Sequence, residues 1–178
     1  MEKFYSLVLC HQEVILINVR QIEESDLPLV QKYISDPSIG KMSGVPSPYP
    51  DDGAQTWYKF VKESIEKGKT LIYAIELNDT FAGVISLNDI SHSKSRANVD
   101  YWVRADLHGR GIGSKGVNEV LKVARTIGIS NYFSGCLTRN IGSKKVLLNN
   151  GFVVDRTITI LDGKYEGEEM LLLSKVCT

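Results

Sequence analysis

A glycine-rich segment carries the clearest chemical signal in the chain. It reads Leu107-His108-Gly109-Arg110-Gly111-Ile112-Gly113-Ser114 and lies between a predicted strand and a predicted helix. Glycines allow a backbone turn whose N–H groups point inward, and the N-terminus of a helix carries a positive partial charge of about half a unit. Such a combination binds anions. The segment therefore predicts a site for a phosphate-containing ligand.

Two common phosphate motifs fit this segment poorly. A P-loop requires Gly, four residues and then Gly-Lys-Ser/Thr. Counted from Gly109, Ser114 stands at the second glycine position; counted from Gly111, no lysine follows the second glycine. The dinucleotide fingerprint is present literally from Gly111 onward, but it needs an acidic residue about 20 residues later on the next strand. That predicted strand, Tyr132–Leu137, has no Asp or Glu, so a dinucleotide-binding protein stays only an alternative.

The segment resembles the coenzyme A pyrophosphate loop of the GNAT superfamily of N-acetyltransferases, whose pattern is Gln/Arg-x-x-Gly-x-Gly/Ala. His108 stands where that family has Gln or Arg. The resemblance continues outside the loop, because Asn98–Val103 is similar to the fourth strand of the family. Asn140–Ser143, followed by Asn150-Gly151-Phe152, is similar to its second motif. The subgroup that the chain resembles contains the ribosomal-protein N-terminal acetyltransferases and the spermidine acetyltransferases.

The resemblance implies a fold and a cofactor. The expected fold is one α/β (α+β) domain over residues 1–178, with a mixed, mostly antiparallel sheet that splays between strands 4 and 5 and about four flanking helices. The cofactor is acetyl-CoA, whose pantetheine arm enters the gap between those strands. The cofactor-binding residues implied are Val103, Arg104, His108, Gly109, Arg110, Gly111, Ile112, Gly113, Ser114, Asn140 and Ser143.

The same resemblance implies one residue that handles the leaving thiol. Ser143 lies one helical turn after Asn140 and on the same side of the predicted helix. In the related subgroup a serine at this position lies near the cofactor sulfur, so Ser143 is expected to protonate or hydrogen-bond the leaving thiolate. Many relatives carry a tyrosine as general acid later in this helix. Leu147 occupies that position here, so this role does not transfer.

The other chemical role to assign is that of the general base, which removes a proton from the amine. Relatives often place a glutamate on the fourth strand, where this chain offers Asp100, with Asp89 and Glu76 as other candidates. At pH 7 a lysine-like amine is neutral in on the order of one molecule in a thousand, whereas an α-amine is neutral in roughly a tenth. An α-amine therefore needs less help from a base. This favours a protein or peptide N-terminus as acceptor, attacked directly in a ternary complex.

Two other functions stay open at this point. One is acetylation of a small molecule such as a polyamine, an amino acid or an antibiotic. The other is a non-catalytic sensor that binds acyl-CoA without turnover. For the two catalytic functions the expected partner is an amine-bearing acceptor, either a protein N-terminus or a small molecule. No nucleic acid or membrane partner is expected, and the chain is expected to be a monomer or a homodimer.

Composition narrows the class of protein further. Twenty-one basic and 21 acidic residues give a formal net charge of zero, which argues against a nucleic-acid-binding protein. Cys10, Cys136 and Cys177 have no metal-ligand spacing, so we expect reduced thiols, no metal and a cytoplasmic location. No apolar run is long enough for a membrane span.

The elements that must position these residues follow from periodicity and turn residues. A helix is predicted after a cap at Ser25-Asp26, and Ser35–Gly53 is predicted to be an irregular loop that borders the acceptor site together with the turn near 162–167. The other predicted helices are Ala54–Lys67, Ile112–Ile127 and the segment from Asn140 to Asn149. The predicted strands are Phe4–Leu9, Val14–Arg20, Thr70–Leu77, Phe81–Ile90, Ala97–Arg104, Tyr132–Leu137, Phe152–Ile160 and Glu168–Leu173.

Overall fold

The computed structural model describes residues 16–177, in which a seven-stranded sheet is flanked by helices on both faces. The strands are β1 (Ile17–Gln21), β2 (Leu71–Leu77), β3 (Thr80–Ser91), β4 (Arg96–Val103), β5 (Asn131–Leu137), β6 (Val153–Thr159) and β7 (Glu169–Val176). The helices are α1 (Leu27–Ile34), α2 (Pro37–Gly40), α3 (Gly53–Glu66), α4 (Ile112–Thr126) and α5 (Ile141–Asn149). The predicted α/β class with a mixed sheet is confirmed. The predicted Phe4–Leu9 strand lies outside the described residues.

The sheet is antiparallel everywhere except at its centre. Its strand order is β1-β2-β3-β4-β5-β7-β6, and β4 and β5 run parallel. They pair only over Arg96–Asn98 and Asn131–Phe133, so the rest of β4 has no partner strand on this side within the described chain. The predicted splay is therefore confirmed. It leaves a gap bordered by the end of β4, the end of β5 and the first turn of α5.

Two hydrophobic layers hold the sheet. Helices α4 and α5 cover one face, where Val117, Val120 and Leu147 are fully buried. Helices α1 and α3 cover the other face over β2, β3 and β4, with Val30 and Ala54 buried there. In α4, apolar residues recur at positions i, i+3, i+4 and i+7 and form one buried stripe along the helix, as the sequence predicts. No helix in residues 16–177 is long and apolar enough to cross a membrane.

Two local predictions need correction. The segment predicted as an irregular loop contains the one-turn helix α2, because the Asp36 side chain accepts a hydrogen bond from the Ser38 N–H and Pro37 fits the first helical position. The predicted cap at Ser25-Asp26 makes no side-chain hydrogen bond to α1. Asp26 instead accepts from the Glu23 N–H and pairs with Arg20 at 2.7 Å, and this pairing satisfies its buried carboxylate.

Candidate active site

The glycine loop forms a left-handed turn into α4. Gly109 and Gly111 have φ values of +77° and +78°, a region in which a side chain would be strained. The first hydrogen bond of the helix runs from the Lys115 N–H to the Gly111 carbonyl at 3.0 Å. The N–H groups of Ile112, Gly113 and Ser114 therefore have no acceptor inside α4. This first turn presents free donors and a positive dipole end, which suits a phosphate group.

His108 closes the loop onto the strand before it. Its Nε2 atom lies 2.8 Å from the carbonyl oxygen of Val103 at the end of β4. The imidazole thus ties the start of the loop to the strand. Arg110, between the two left-handed glycines, is exposed and points its charge into solvent beside the loop. The anion-binding capacity of the loop comes mainly from backbone N–H groups.

Arg104 joins the site to α1 through its side chain. The guanidinium stacks 4.1 Å from the Tyr33 ring centre and lies 2.7 Å from the Asp106 carboxylate. It also donates to the Phe81 carbonyl at 3.0 Å, and its backbone N–H donates to Ala82 on β3. Arg104 is therefore fully engaged within the protein. Its placement makes it a brace for the turn that leads into the glycine loop.

The edge of β4 that faces the gap carries unpaired backbone groups. Backbone groups of successive strand residues point to opposite sides, and the Arg104 N–H points to β3. Val103 and Val99 consequently point to the gap, where their carbonyls meet His108 Nε2 and Ser134 Oγ, each at 2.8 Å. Tyr101 lies between them, so its N–H and C=O also face the gap. Within the described chain no strand pairs with them, and an extended amide-containing ligand would satisfy them.

A hydrogen-bonded pair spans the gap. The Tyr101 hydroxyl on β4 lies 2.9 Å from Ser143 Oγ on α5. Ser143 is held in place because its N–H donates to Asn140 Oδ1 at 3.0 Å, which caps α5. Burial raises the pKa of the Tyr101 phenol well above its usual range, although the bond with Ser143 opposes this shift. The phenol therefore keeps its proton at physiological pH and can donate it.

The buried thiol of Cys136 also contacts this pair. Burial raises the pKa of the Cys136 thiol, and a hydrogen bond with Ser143 acts in the opposite direction. Burial therefore favours the thiol over the nucleophilic thiolate. Sequence reasoning found Ser143 and missed Tyr101. The strand pattern assigns Tyr101 to the inward side, but nothing in that pattern indicates which helix its hydroxyl reaches.

Asn140 connects the beginning of α5 to the loop before α3. Its Nδ2 atom donates to the Met42 carbonyl at 3.0 Å while its Oδ1 atom caps α5. Arg139, its neighbour, contacts the Met42 sulfur at 3.1 Å and pairs with Glu168 at 2.6 Å. This pairing lowers the pKa of the Glu168 carboxyl. The loop therefore lies against the beginning of α5.

Two residues of the β6–β7 turn fasten the same loop from the other side. Lys164 Nζ donates to the Val45 carbonyl at 2.6 Å, and the Tyr165 hydroxyl donates to the Ser43 carbonyl at 2.8 Å. Both also contact the Gly40 carbonyl. The two segments predicted to border the acceptor site thus contact each other. We name the loop Gly40–Val45 with its partners Arg139, Asn140, Lys164 and Tyr165 the loop clamp.

The candidate bases are all engaged by neighbours. Asp100 is exposed and lies on the face of β4 opposite to the Tyr101 side chain, since successive strand residues alternate. Its carboxylate accepts from Asn88 Nδ2 at 2.8 Å. Asp89 accepts from Asn98 at 2.7 Å, and Glu76 pairs with Arg20 at 2.7 Å on the β1 side of the sheet. Among these carboxylates only Asp100 lies on the unpaired stretch of β4.

The comparisons agree with this geometry. The family described as "Acetyltransferase (GNAT) domain" matches residues 17–153. No curated protein sequence matches the chain significantly. The chain is similar in structure to the ribosomal L7/L12 alpha-N-protein acetyltransferase RimL, with a TM-score of 0.81, 18% identity and 90% of each chain covered.

Two further solved structures show the same fold. An acetyltransferase from Salmonella typhimurium that modifies the N-terminal serine of ribosomal protein L7/L12 gives a TM-score of 0.76 at 20% identity, covering 91% of this chain and 95% of that one. Spermidine N-acetyltransferase from Vibrio cholerae, in complex with CoA and spermine, gives 0.76 at 16% identity, covering 90% and 95%.

The family match spans more than half of the chain, and the chain therefore belongs to the GNAT acetyltransferases. It is an N-acetyltransferase, and its acetyl donor is acetyl-CoA. The resemblance read from the sequence is thus confirmed for family, fold, enzyme class and donor. The glycine loop, the unpaired edge of β4 and the first turn of α5 fit such a donor, because the loop offers N–H groups suited to a phosphate and the strand offers free backbone amides.

Proposed function

We propose that this enzyme acetylates the α-amino group of a protein or peptide N-terminus by direct attack in a ternary complex. One observation carries the proposal. A protonated hydroxyl pair, Tyr101 and Ser143, spans the gap, whereas Asp100 lies on the opposite face of β4 and is already bonded to Asn88. Such a site assists the leaving group more than it assists removal of a proton from the amine. It suits an amine that is already partly neutral at pH 7.

The donor half would be held by backbone groups. Acetyl-CoA supplies the acetyl group as a thioester. The N–H groups of Gly113 and Ser114 and the rest of the loop from His108 to Ile112 would hold the pyrophosphate. Tyr101 and Val103 would pair through their backbones with the pantetheine amides. Arg104 would brace the loop, and Asn140 would set the position of Ser143 through the cap of α5.

The two proton transfers of the reaction would then take place on opposite faces of β4. The incoming amine must lose one proton, and the leaving sulfur must gain one. Ser143 would donate its hydroxyl proton to the sulfur as the C–S bond breaks, and the Tyr101 phenol, 2.9 Å away, would pass its own proton to Ser143 and take one up from water before the next turnover. Asp100, directly or through water, would accept the proton of the amine on the opposite face. Direct attack of the amine on the thioester needs no covalent enzyme intermediate, and burial disfavours the Cys136 thiolate as a nucleophile.

Two further observations support an N-terminal acceptor over a polyamine. RimL, similar in fold over 90% of its length, acts on the N-terminus of a ribosomal protein. A polyamine would need several free carboxylates near the cleft. Glu168, at the edge of the loop clamp, is instead paired with Arg139 at 2.6 Å. The charge available to attract a polycation is correspondingly reduced.

The test compares three acceptors with matched chemistry. One peptide has a free α-amine and blocked lysines, a second has a blocked N-terminus and free lysines, and the third acceptor is spermidine. Release of the CoA thiol gives the rate, and mass spectrometry locates the acetyl group. We expect kcat/KM for the first peptide to exceed the other two by about tenfold or more at pH 7. Faster acetylation of spermidine would overturn the proposal.

A further inference from the structure

The side chain of Asn150 joins the end of α5 to the beginning of α4. It follows the last residue of α5 and is only 7% exposed. The two hydrogens of its Nδ2 atom are shared among three acceptors, which are the Ser114 carbonyl at 3.0 Å, Ser114 Oγ at 3.2 Å and the Val146 carbonyl at 2.9 Å. Ser114 is the third residue of α4, in the turn that follows the glycine loop. A buried amide thus links α5, through Val146, to Ser114 in the first turn of α4.

This contact determines what the Ser114 hydroxyl can do. A hydroxyl has one proton to donate and two lone pairs that accept. Asn150 is a donor, so it occupies a lone pair of Ser114 Oγ and leaves the proton free. Among the described residues, Ser114 Oγ donates to no protein acceptor. The proton is therefore available to an anion at the first turn of α4, beside the N–H groups of Gly113 and Ser114.

Asn150 is itself held rigidly. Its carbonyl accepts from Lys175 Nζ on β7 at 2.6 Å, and its N–H donates to the Leu147 carbonyl at 3.0 Å. Leu147 is fully buried in the main core. The next residue, Gly151, adopts a φ of +78°, and a Cβ there would lie 2.8 Å from Lys175 Nζ. The amide of Asn150 is therefore placed by the sheet and the core.

We propose that Asn150 is a positioning residue for the phosphate end of the donor. Acting through Ser114, it fixes the first turn of α4 and orients the serine proton toward the pyrophosphate. The inference rests on the use of acetyl-CoA and goes beyond the proposed acceptor. Its test uses no acceptor, so it can fail or succeed independently of the α-amine proposal.

The test measures binding of three ligands by the whole chain. CoA and 3′-dephospho-CoA both carry the pyrophosphate, whereas pantetheine lacks it. In Asn150→Ala we expect the Kd of CoA and of 3′-dephospho-CoA to rise by a similar factor of about ten, the usual range for a hydrogen bond to a charged group. The Kd of pantetheine should stay within about twofold, because the pantetheine edge of β4 is not touched.

Two control variants separate positioning from general damage. Asn149→Ala removes the same side chain from the preceding, exposed position and should leave all three Kd values unchanged. In a Ser114→Ala background, Asn150→Ala should cost CoA binding clearly less than it does alone, because the two residues act as a unit. The proposal is overturned if pantetheine binding weakens as much as CoA binding, if the effect disappears with 3′-dephospho-CoA, or if the two substitutions add independently.

Discussion

The donor side and the acceptor side of this enzyme are built in opposite ways. The donor side is one continuous stretch from the end of β4 to the first turn of α4, and it works through backbone N–H and C=O groups. The proposed acceptor side is the loop clamp, in which side chains from two distant segments contact the loop, mostly through its backbone carbonyls. Asn140 and Met42, for example, are 98 residues apart in sequence. Ser143 and Tyr101 lie where the two sides meet.

This difference indicates where substitutions can change the specificity for the donor or for the acceptor. A cleft made of backbone groups tolerates many side chains but few changes of conformation, so donor recognition depends on glycines and strand geometry. A loop held by Lys164, Tyr165, Arg139 and Asn140 can be reshaped by changing one side chain. The donor is therefore fixed by local geometry, whereas the acceptor depends on the tertiary contacts of a short loop. We call Tyr101 and Ser143 the junction. Substitutions at the junction, on the acceptor side and on the donor side should affect different kinetic constants.

The largest effect is expected at the junction, in Ser143→Ala. Removing the hydroxyl that we propose to protonate the leaving sulfur should lower kcat by about a hundredfold or more, the range for a positioned proton donor. The KM for acetyl-CoA should change by less than about threefold, since the phosphate contacts lie on α4. Steady-state kinetics at saturating acceptor measures both constants. The control is Ser174→Ala on β7, which removes a hydroxyl that donates to Asp155 on β6. It should leave both constants unchanged.

Tyr101→Phe should have the next largest effect, and it carries a pH signature. We expect kcat to fall by about tenfold, because Ser143 loses the hydroxyl that replaces its proton. Burial raises the pKa of Tyr101, so its protonated form persists through the pH range in which the amine deprotonates. The wild-type rate should therefore rise with pH and show no decline below about pH 10.

The same titration gives a second measurement on Tyr101. A raised pKa in the folded state contributes stability below the unfolded pKa of about 10, and this contribution is lost as pH rises above it. Wild type should consequently lose more unfolding free energy above pH about 10 than Tyr101→Phe does. Equal losses in the two proteins, or a rate decline near pH 8 that Tyr101→Phe removes, would contradict the assigned protonation state.

On the acceptor side, Lys164→Met removes a charge that grips the loop but retains most of the side-chain length. Lys164 Nζ contacts the carbonyls of Gly40 and Val45, so the loop should become more mobile. We expect the KM for the peptide acceptor to rise by about fivefold, within the range for hydrogen bonds to charged groups, while the KM for acetyl-CoA stays unchanged. An equal rise in both constants would mean that the two sides are not separable.

Lys62→Met is the matched control for this substitution. Lys62 is exposed on α3 and lies 3.7 Å from Glu24, remote from the loop clamp. A surface pair of this kind contributes little, so the substitution should leave both KM values unchanged. A change in peptide KM in this control would indicate an electrostatic effect of net charge on the acceptor.

The contrast between the donor side and the acceptor side also explains which features could be predicted from the sequence and which could not. The glycine loop, the buried stripe of α4 and the cap at Asn140 are local patterns, so spacing alone predicts them, and the splay follows from the family resemblance. The Tyr101–Ser143 bond and the loop clamp depend on how α5 packs beside β4 and on how the β6–β7 turn folds back. Strand alternation indicates that Tyr101 faces inward, but it cannot name a partner 42 residues away.

The smallest effect is expected from Arg110→Ala in the glycine loop. Arg110 is exposed, and solvent screens its attraction to a phosphate, so its contribution resembles that of a surface ion pair. We expect the KM for acetyl-CoA to rise by about twofold to fivefold at low salt and the difference from wild type to shrink as ionic strength increases. Measuring KM at two salt concentrations checks both statements. A loss of donor binding as large as that of Asn150→Ala, insensitive to salt, would mean that side-chain charge rather than backbone geometry dominates the donor side.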